Sequence, residues 1–278
     1  MTPNRKRLWR ALLRNPRIWF GFSILTIVFS GAIFAPLLTQ YTADDMDISL
    51  RLTGPSIEHW LGCDVNGGDV WTAVLYGARL SLFISFLTVF ISVTVGTAVG
   101  LISGFRLGIT DTIFMRLVDI IMAVPGILVA MILSSLLGAS VLNVVFAISA
   151  TGWTSAARLV RGQVLSIRER EFVTAARAIG ATDISLMLKH ILPQTITPLV
   201  VHSTFSLSGV IIVEASLSFL GLGAQGDYPT WGGLLGQGRA VLSEAPHLSI
   251  VPGMAIMLVV LALNFIGDAM RDILDPKR

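Results

Sequence analysis

The 278-residue chain has one cysteine, Cys63, three lysines and four histidines. A single cysteine excludes an intrachain disulfide and leaves the redox compartment open. A phosphate-binding loop requires Gly-Lys followed by Ser or Thr, because backbone amides cradle the phosphate while the lysine reaches it. Lys6, Lys189 and Lys277 follow Arg5, Leu188 and Pro276, so the chain has no such loop. GLGAQG at 221–226 matches a dinucleotide fingerprint in letters only, since it follows a long apolar run and not a strand. The histidines lie in unrelated contexts and assemble no Ser-His-Asp set, and His59 and Cys63, four residues apart, have no third ligand nearby. These absences argue against a nucleotide-hydrolysing enzyme, a hydrolase and a metal site, and no catalytic residue is expected.

Charge is scarce as well, at 13% of residues, whereas hydrophobic residues make up 54% and the mean hydropathy is +0.77. The apolar residues fall into uncharged runs of about 20 or more, the length that crosses a ~30 Å hydrocarbon core as helix. Residues 18–38, 80–105 and 248–267 each read as one span. The uncharged stretch 120–157 is long for one crossing, and Gly138, Ala139, Ser140 and Asn143 mark a turn, so two short spans are expected there. Residues 191–222, interrupted by Glu214, supply a sixth. The first run is longer than the ~7–15 residues of a signal-peptide core and is expected to remain as a span.

Six spans place both termini on one side. Of the 20 Lys and Arg residues, all but Arg51, Arg79 and Arg239 fall on that side. By the positive-inside rule it is cytoplasmic, and the basic charge balance then reflects topology and anionic membrane lipid, with no nucleic-acid partner expected. The organisation follows: 1–17 a basic cytoplasmic terminus, 18–38 the first span, 39–79 an acidic external loop, 80–270 a core of five spans and 271–278 a cytoplasmic end. Within the core, 157–193 is cytoplasmic and 223–247 external, the latter expected to be turn-rich, with Tyr228 and Trp231 at headgroup level.

Ionisable residues inside a membrane are costly and are candidates for function. Asp119 and Glu214 are the candidates for a translocation path or gate. Asp119 also has an ordinary reading, an ion pair with Arg116 on the same helix, and Glu214 one as a buried structural partner; His202 reads as an interhelical hydrogen-bonding residue. Thr88, Ser92, Gly96, Gly100 and Gly104 recur every four residues, which places them on one helix face where a neighbouring backbone can approach. Gly96, Gly100 and Gly104 are therefore expected to form a helix-packing seam, with the lining of a substrate path as the alternative for this face.

The stretch EFVTAARAIGATDISLMLKHILPQT, 171–195, stands apart as charged and alanine-rich. Residues 169–179 read as a short amphipathic helix closed by Gly180 in a left-handed conformation. Thr182 or Asp183 can cap a second helix, which Pro193 is expected to stop. Helices this short need a surface to pack on. An ordinary connector and a docking element for a partner both remain open on these grounds.

TAARAIG followed by HILP resembles the cytoplasmic signature of binding-protein-dependent ABC transporter permeases: Glu-Ala-Ala, three residues, Gly, nine residues, Ile-x-Leu-Pro. Ala175, Ala176, Gly180, Leu192 and Pro193 match in register, while Thr174 and His190 replace the motif's Glu and Ile, and Glu171 stands one turn earlier. HWLGCD with YGARLSL, then REFVTAARAIGA, SFLGLG, PTWGGLL and GDAMRDILDP are similar, in order, to the dipeptide, oligopeptide and nickel branch, C-type subunit; Gly68 departs from its usual basic residue. The resemblance implies an all-α integral membrane protein with the type I ABC importer permease fold, in a prokaryotic cytoplasmic membrane. It implies pairing with a similar permease subunit, docking on two cytoplasmic ATP-binding subunits and receipt of substrate from an external binding protein. ATP and Mg would be bound by the partners, with no cofactor in this chain. Glu171, Ala175, Ala176, Gly180 and Pro193 would form the ATPase-coupling region. Short peptides are the expected cargo, with nickel or another small solute as the alternative. Two readings from other classes are a self-sufficient ion-coupled carrier and a membrane scaffold.

Overall fold

Pro16 begins the first helix because its missing amide hydrogen would have no partner there, and Asn15 caps it by accepting from the Arg17 amide at 3.0 Å. The computed structural model describes residues 15–42, 45–224 and 229–274. Most of the basic terminus, Asp44, Gly226, Tyr228 and the last two basic residues of the sequence reading lie outside them. Among the described residues every regular element is helical, apart from an isolated bridge between Cys63 and Asp69.

The principal helices are α1 (Pro16–Ile33), α2 (Val70–Arg106), α3 (Gly108–Met122), α4 (Gly126–Leu137), α5 (Val141–Ile167), α6 (Glu171–Ala178), α7 (Leu192–Phe219), α8 (Trp231–Arg239) and α9 (His247–Leu274). Four stretches are long and apolar enough to cross a membrane: Pro16–Ile33, Val70–Arg106, Asp183–Phe219 and His247–Ile273; counting the bent pair α3 and α4 gives a fifth. The remaining expected span, α5, is not among them by hydropathy: although 27 residues long, it carries Asn143, Thr154, Arg158 and Arg161 among its apolar positions.

The break in the expected pair of spans also differs. The turn at Gly138 is present, but the chain is also broken between Met122 and Gly126, and α3 and α4 meet at 82°. Pro125 explains it: proline disfavours helical backbone in the residue before it and lacks the amide hydrogen that a continuing helix needs.

The outer segment is shorter than expected as loop, since α2 starts at Val70, ten residues upstream of residue 80. Asp69 fixes that start: one carboxylate oxygen accepts from the Thr72 amide at 2.8 Å and the Thr72 hydroxyl at 2.7 Å. Its other oxygen pairs with His59 Nδ1 at 3.0 Å, and Tyr41 stacks on the same imidazole with ring centroids 4.8 Å apart. Arg79 donates to the carbonyls of Ala32 and Ile33, two orphan acceptors at the end of α1.

The stretch expected to be turn-rich near 223–247 contains α8, whose N-terminus is capped by Thr230 accepting from the Gly233 amide at 3.1 Å. Its glycines serve close packing: a side chain at Gly232 would strike the Ala215 backbone of α7, and one at Gly238 would strike Leu248 and Ser249 of α9. Trp231 of this stretch packs against the helices and is not an open surface residue. It is buried, with its amide donating to Ser81 Oγ at 3.2 Å and its indole to the Val74 carbonyl at 3.0 Å, both on α2.

Helices α2 and α5 form the central pair. A Cβ at Gly96 would lie 2.6 Å from Ala156 Cβ, at Gly100 2.9 Å from Val160 Cβ, and at Gly104 2.9 Å from Val164 Cβ. Such spacings are below any tolerable carbon contact, so the three glycines set how closely these backbones approach.

Candidate functional site: the two faces of α6 and the cleft between α2, α4, α5 and α7

Arg170 is extended and α6 begins at Glu171, whose carboxylate suits the positive end of the helix; Arg177 lies in the last turn. Gly180, at φ +88°, reverses the chain in a conformation costly for a residue with a Cβ. Thr182 then caps the next turn by accepting from the Ser185 amide at 3.4 Å. Of the expected coupling residues, Ala176 does not face outward. With Val173 it is buried against Leu101, Phe105, Val160, Val164, Ile167, Leu186 and Ile191, the ends of α2 and α5 and the approach to α7. Glu171, Thr174, Ala175 and Gly180 are exposed, and so are Phe172 and Ile179, the last at 88%.

Two arginines reinforce this anchorage. Arg168, between α5 and α6, donates to the Phe105 carbonyl at 2.8 Å and so caps the C-terminus of α2, while its Nε pairs with Glu169 at 2.9 Å. The Arg177 guanidinium sits 6.0 Å from the centroid of the Phe105 ring.

Pro193 does not stop the second helix. A continuous helix runs from Asp183 to Phe219, and Leu186–Ile191 within it are wound as π-helix. The wide turn lets the Leu192 amide reach the Met187 carbonyl, so the chain passes the proline, which has no amide hydrogen, without leaving the helix.

Farther from α6, a cleft of about 370 Å³ opens between α2, α4, α5 and α7. Ser92, Thr151, Ser155, His202 and Ser206 supply its polar groups among apolar neighbours such as Val89, Ile148 and Val213, and Gly126 at the start of α4 also lines it. His202 Nε2 lies 3.4 Å from Ser155 Oγ on α5 and 3.2 Å from Ser206 Oγ on its own helix, the interhelical contact expected of it.

Neither ionisable path candidate lines this cleft. Asp119 pairs at 2.8 Å with Arg158 of α5, not with Arg116, because α3 turns that face towards α5. Glu214 is fully buried; its Oε1 accepts from Ser218 at 2.8 Å, its Oε2 has no hydrogen-bond partner among the described residues, and the hydroxyls of Ser81 and Thr230 lie near the carboxyl. The sequence reading singled out Ser92 on the four-residue repeat of α2 but missed Thr151 and Ser155 of α5 and Ser206 of α7, which no spacing links to it. It also missed Asp111, whose carboxylate accepts two bonds from Arg161.

Residues 96–278 match the family model of the binding-protein-dependent transport system inner membrane component, and residues 5–55 match the N-terminal TM domain of oligopeptide transport permease C. The chain is 42% identical over 272 residues to the dipeptide transport system permease protein DppC of Alkalihalophilus pseudofirmus, covering 98% of this chain and 90% of that protein. It is 44% identical over 270 residues to the glutathione transport system permease protein GsiD of Escherichia coli O157:H7, covering 97% of this chain and 89% of the relative. In fold it is similar to a chain of the inward-facing MetNI methionine ABC transporter, with a TM-score of 0.59 at 20% identity over 72% of this chain and 96% of that one. The outward face of α6, the close-packed α2 and α5 and the matched segments along nearly the whole length lead to one assignment: the chain belongs to the binding-protein-dependent transport system inner membrane component family, the membrane permeases of ABC importers.

Proposed function

We propose that the chain is the permease subunit of an ATP-driven importer of short peptides in a prokaryotic cytoplasmic membrane. It crosses six times, with α5 as the crossing of lowest hydropathy and both termini on the cytoplasmic side, where nearly all the Lys and Arg residues fall. It pairs with a similar permease, docks two ATP-binding subunits through α6 and receives cargo from an external binding protein. ATP and Mg belong to the partners.

The observation that carries this reading is the division of α6 into two faces. Val173 and Ala176 are locked among the ends of α2 and α5, while Glu171, Phe172, Thr174, Ala175 and Ile179 are left exposed. A push on the outer face therefore reaches the α2–α5 pair directly and shifts the walls of the cleft. The lining, hydroxyls and one imidazole without a fixed charge, suits a peptide backbone that must be bound and then released. The relatives named for dipeptide and glutathione transport support a peptide-like cargo. Glu214 serves the outer closure, where its carboxyl sits among groups of α2, α7 and the Thr230 cap of α8.

The test is reconstitution of the whole complex in liposomes with ATP in the lumen and labelled dipeptide delivered by the binding protein outside. Uptake is expected only with both ATP and binding protein. Accumulation by the purified chain alone under an ion gradient would establish the carrier reading instead.

A further inference from the structure

Asp111, near the start of α3, accepts two bonds from Arg161 of α5, Nε to Oδ1 and Nη2 to Oδ2, each at 2.6 Å. Ser103 of α2 also donates to Asp111 Oδ1. One carboxylate thus ties α3 to both members of the central pair. Its side chain is only 14% exposed, and that of Arg161 30%. Asp119 and Arg158 also link α3 to α5, but by a single contact between side chains about half exposed, and such pairs contribute roughly 0–1 kcal/mol. A bidentate guanidinium–carboxylate pair is stronger and fixes orientation as well as distance.

The placement of this tie gives it a consequence. Towards α6, α5 continues through Arg168, which caps α2, into the helix whose inner face is locked to both. In the other direction α3 runs to the break at Pro125, beyond which Gly126, Ile127 and Ala130 line the cleft. The hydrophobic cluster that holds Val173 and Ala176 contains no residue of α3 or α4. Helix α4 packs on the opposite half of α5, where Ala130 joins Val144, Val145 and Ile148, so the Asp111–Arg161 pair is the elbow's tie on the α6 side of that helix.

We infer that Asp111 and Arg161 are positioning residues for transport, a rigid link that carries displacement of α6 to the elbow and so to the cleft wall at Gly126. The inference rests on the permease reading above. It requires the pair to stay closed while α3, α5 and α6 move as one body.

The reconstituted complex tests it. Asp111→Asn and Arg161→Lys are each expected to lower uptake per ATP hydrolysed by about tenfold, a coupling loss within the usual range. Complex yield and basal hydrolysis should hold, and Asp119→Asn should leave the ratio unchanged. Exchanging the charges, Asp111→Arg with Arg161→Asp, should restore part of the coupling. Uptake and hydrolysis falling in proportion, or neither falling, would overturn the link. Spin labels at Ile113→Cys and Gly162→Cys in a Cys63→Ser background keep the pair itself intact. Their separation should be the same in nucleotide-free and ATP-trapped complexes, while that from Ile113→Cys to Met257→Cys on α9 changes. A change in the first distance, or none in the second, refutes the link. A wild-type complex with no ATP-dependent uptake would instead refute the permease reading.

Discussion

Cys63 shows how much a single side chain reports here. It is fully buried beneath the outer segment, and burial pushes its thiol above the ordinary cysteine range. Maleimide labelling of native membranes at neutral pH is expected to be slow, and to go to completion only after denaturation. Asp47 supplies the pH response of the same segment. Ser49 donates to it from its amide at 2.9 Å and its hydroxyl at 2.7 Å, holding the carboxyl below the usual carboxylate range. A lowered pKa contributes stability above about pH 4 that is lost as the pH falls through the folded value, so the Asp47–Ser49 turn should persist to about that pH and loosen below it, read as faster exchange of the Ser49 amide. At Gly100 the geometry allows no side chain: Gly100→Leu should cost about 1–3 kcal/mol or more through overpacking, read as a lower thermal midpoint in detergent. Glu214→Leu strands the hydroxyls around it at about 1–3 kcal/mol, whereas Glu214→Gln retains an acceptor and should destabilise less.

Among elements, α6 separates two kinds of damage. Ala176→Arg forces a charge into the cluster that holds the helix to its own chain, so the permease itself should be destabilised. Ala175→Arg points outward and should leave thermal stability within about 0.5 kcal/mol while abolishing co-purification of the ATP-binding subunits. Equal loss of stability in both would remove the two-faced reading. The existence of α6, its closure by Gly180 and the glycine seam of α2 were legible from the sequence, because each rests on local spacing. Which alanine faces inward was not, since that depends on where α2 and α5 end. The glycines of α8 misled for a related reason. Glycine permits a turn and a close helix contact alike, and only the position of Ala215 and Leu248 decides between them. Asp119 was matched to Arg116 by nearness in sequence, but the packing of α3 beside α5 brings Arg158 closer.

For the whole molecule, hydropathy identified the membrane class and most spans, because apolar length is a direct physical demand of the bilayer. It blurred where helices carry polar groups inward, at α5, or break at a proline, at α3 and α4. The cleft was invisible for the same reason: Ser92, Thr151, Ser155 and His202 become neighbours only after three helices pack. The wide turn at Leu186–Ile191 has a last consequence, for chain length. A π-turn holds one residue more than the α-helix around it needs, so the segment is a built-in insertion. Removing Lys189 together with Pro193→Ala should therefore leave the rest of α7 in phase, with its cleft-facing residues still aimed at the cleft. Removing one residue from the middle of α7, such as Val201, turns everything beyond it by roughly 100°. Uptake should survive the first deletion and be lost with the second, which would mark this segment as the place where the crossing tolerates a change of length.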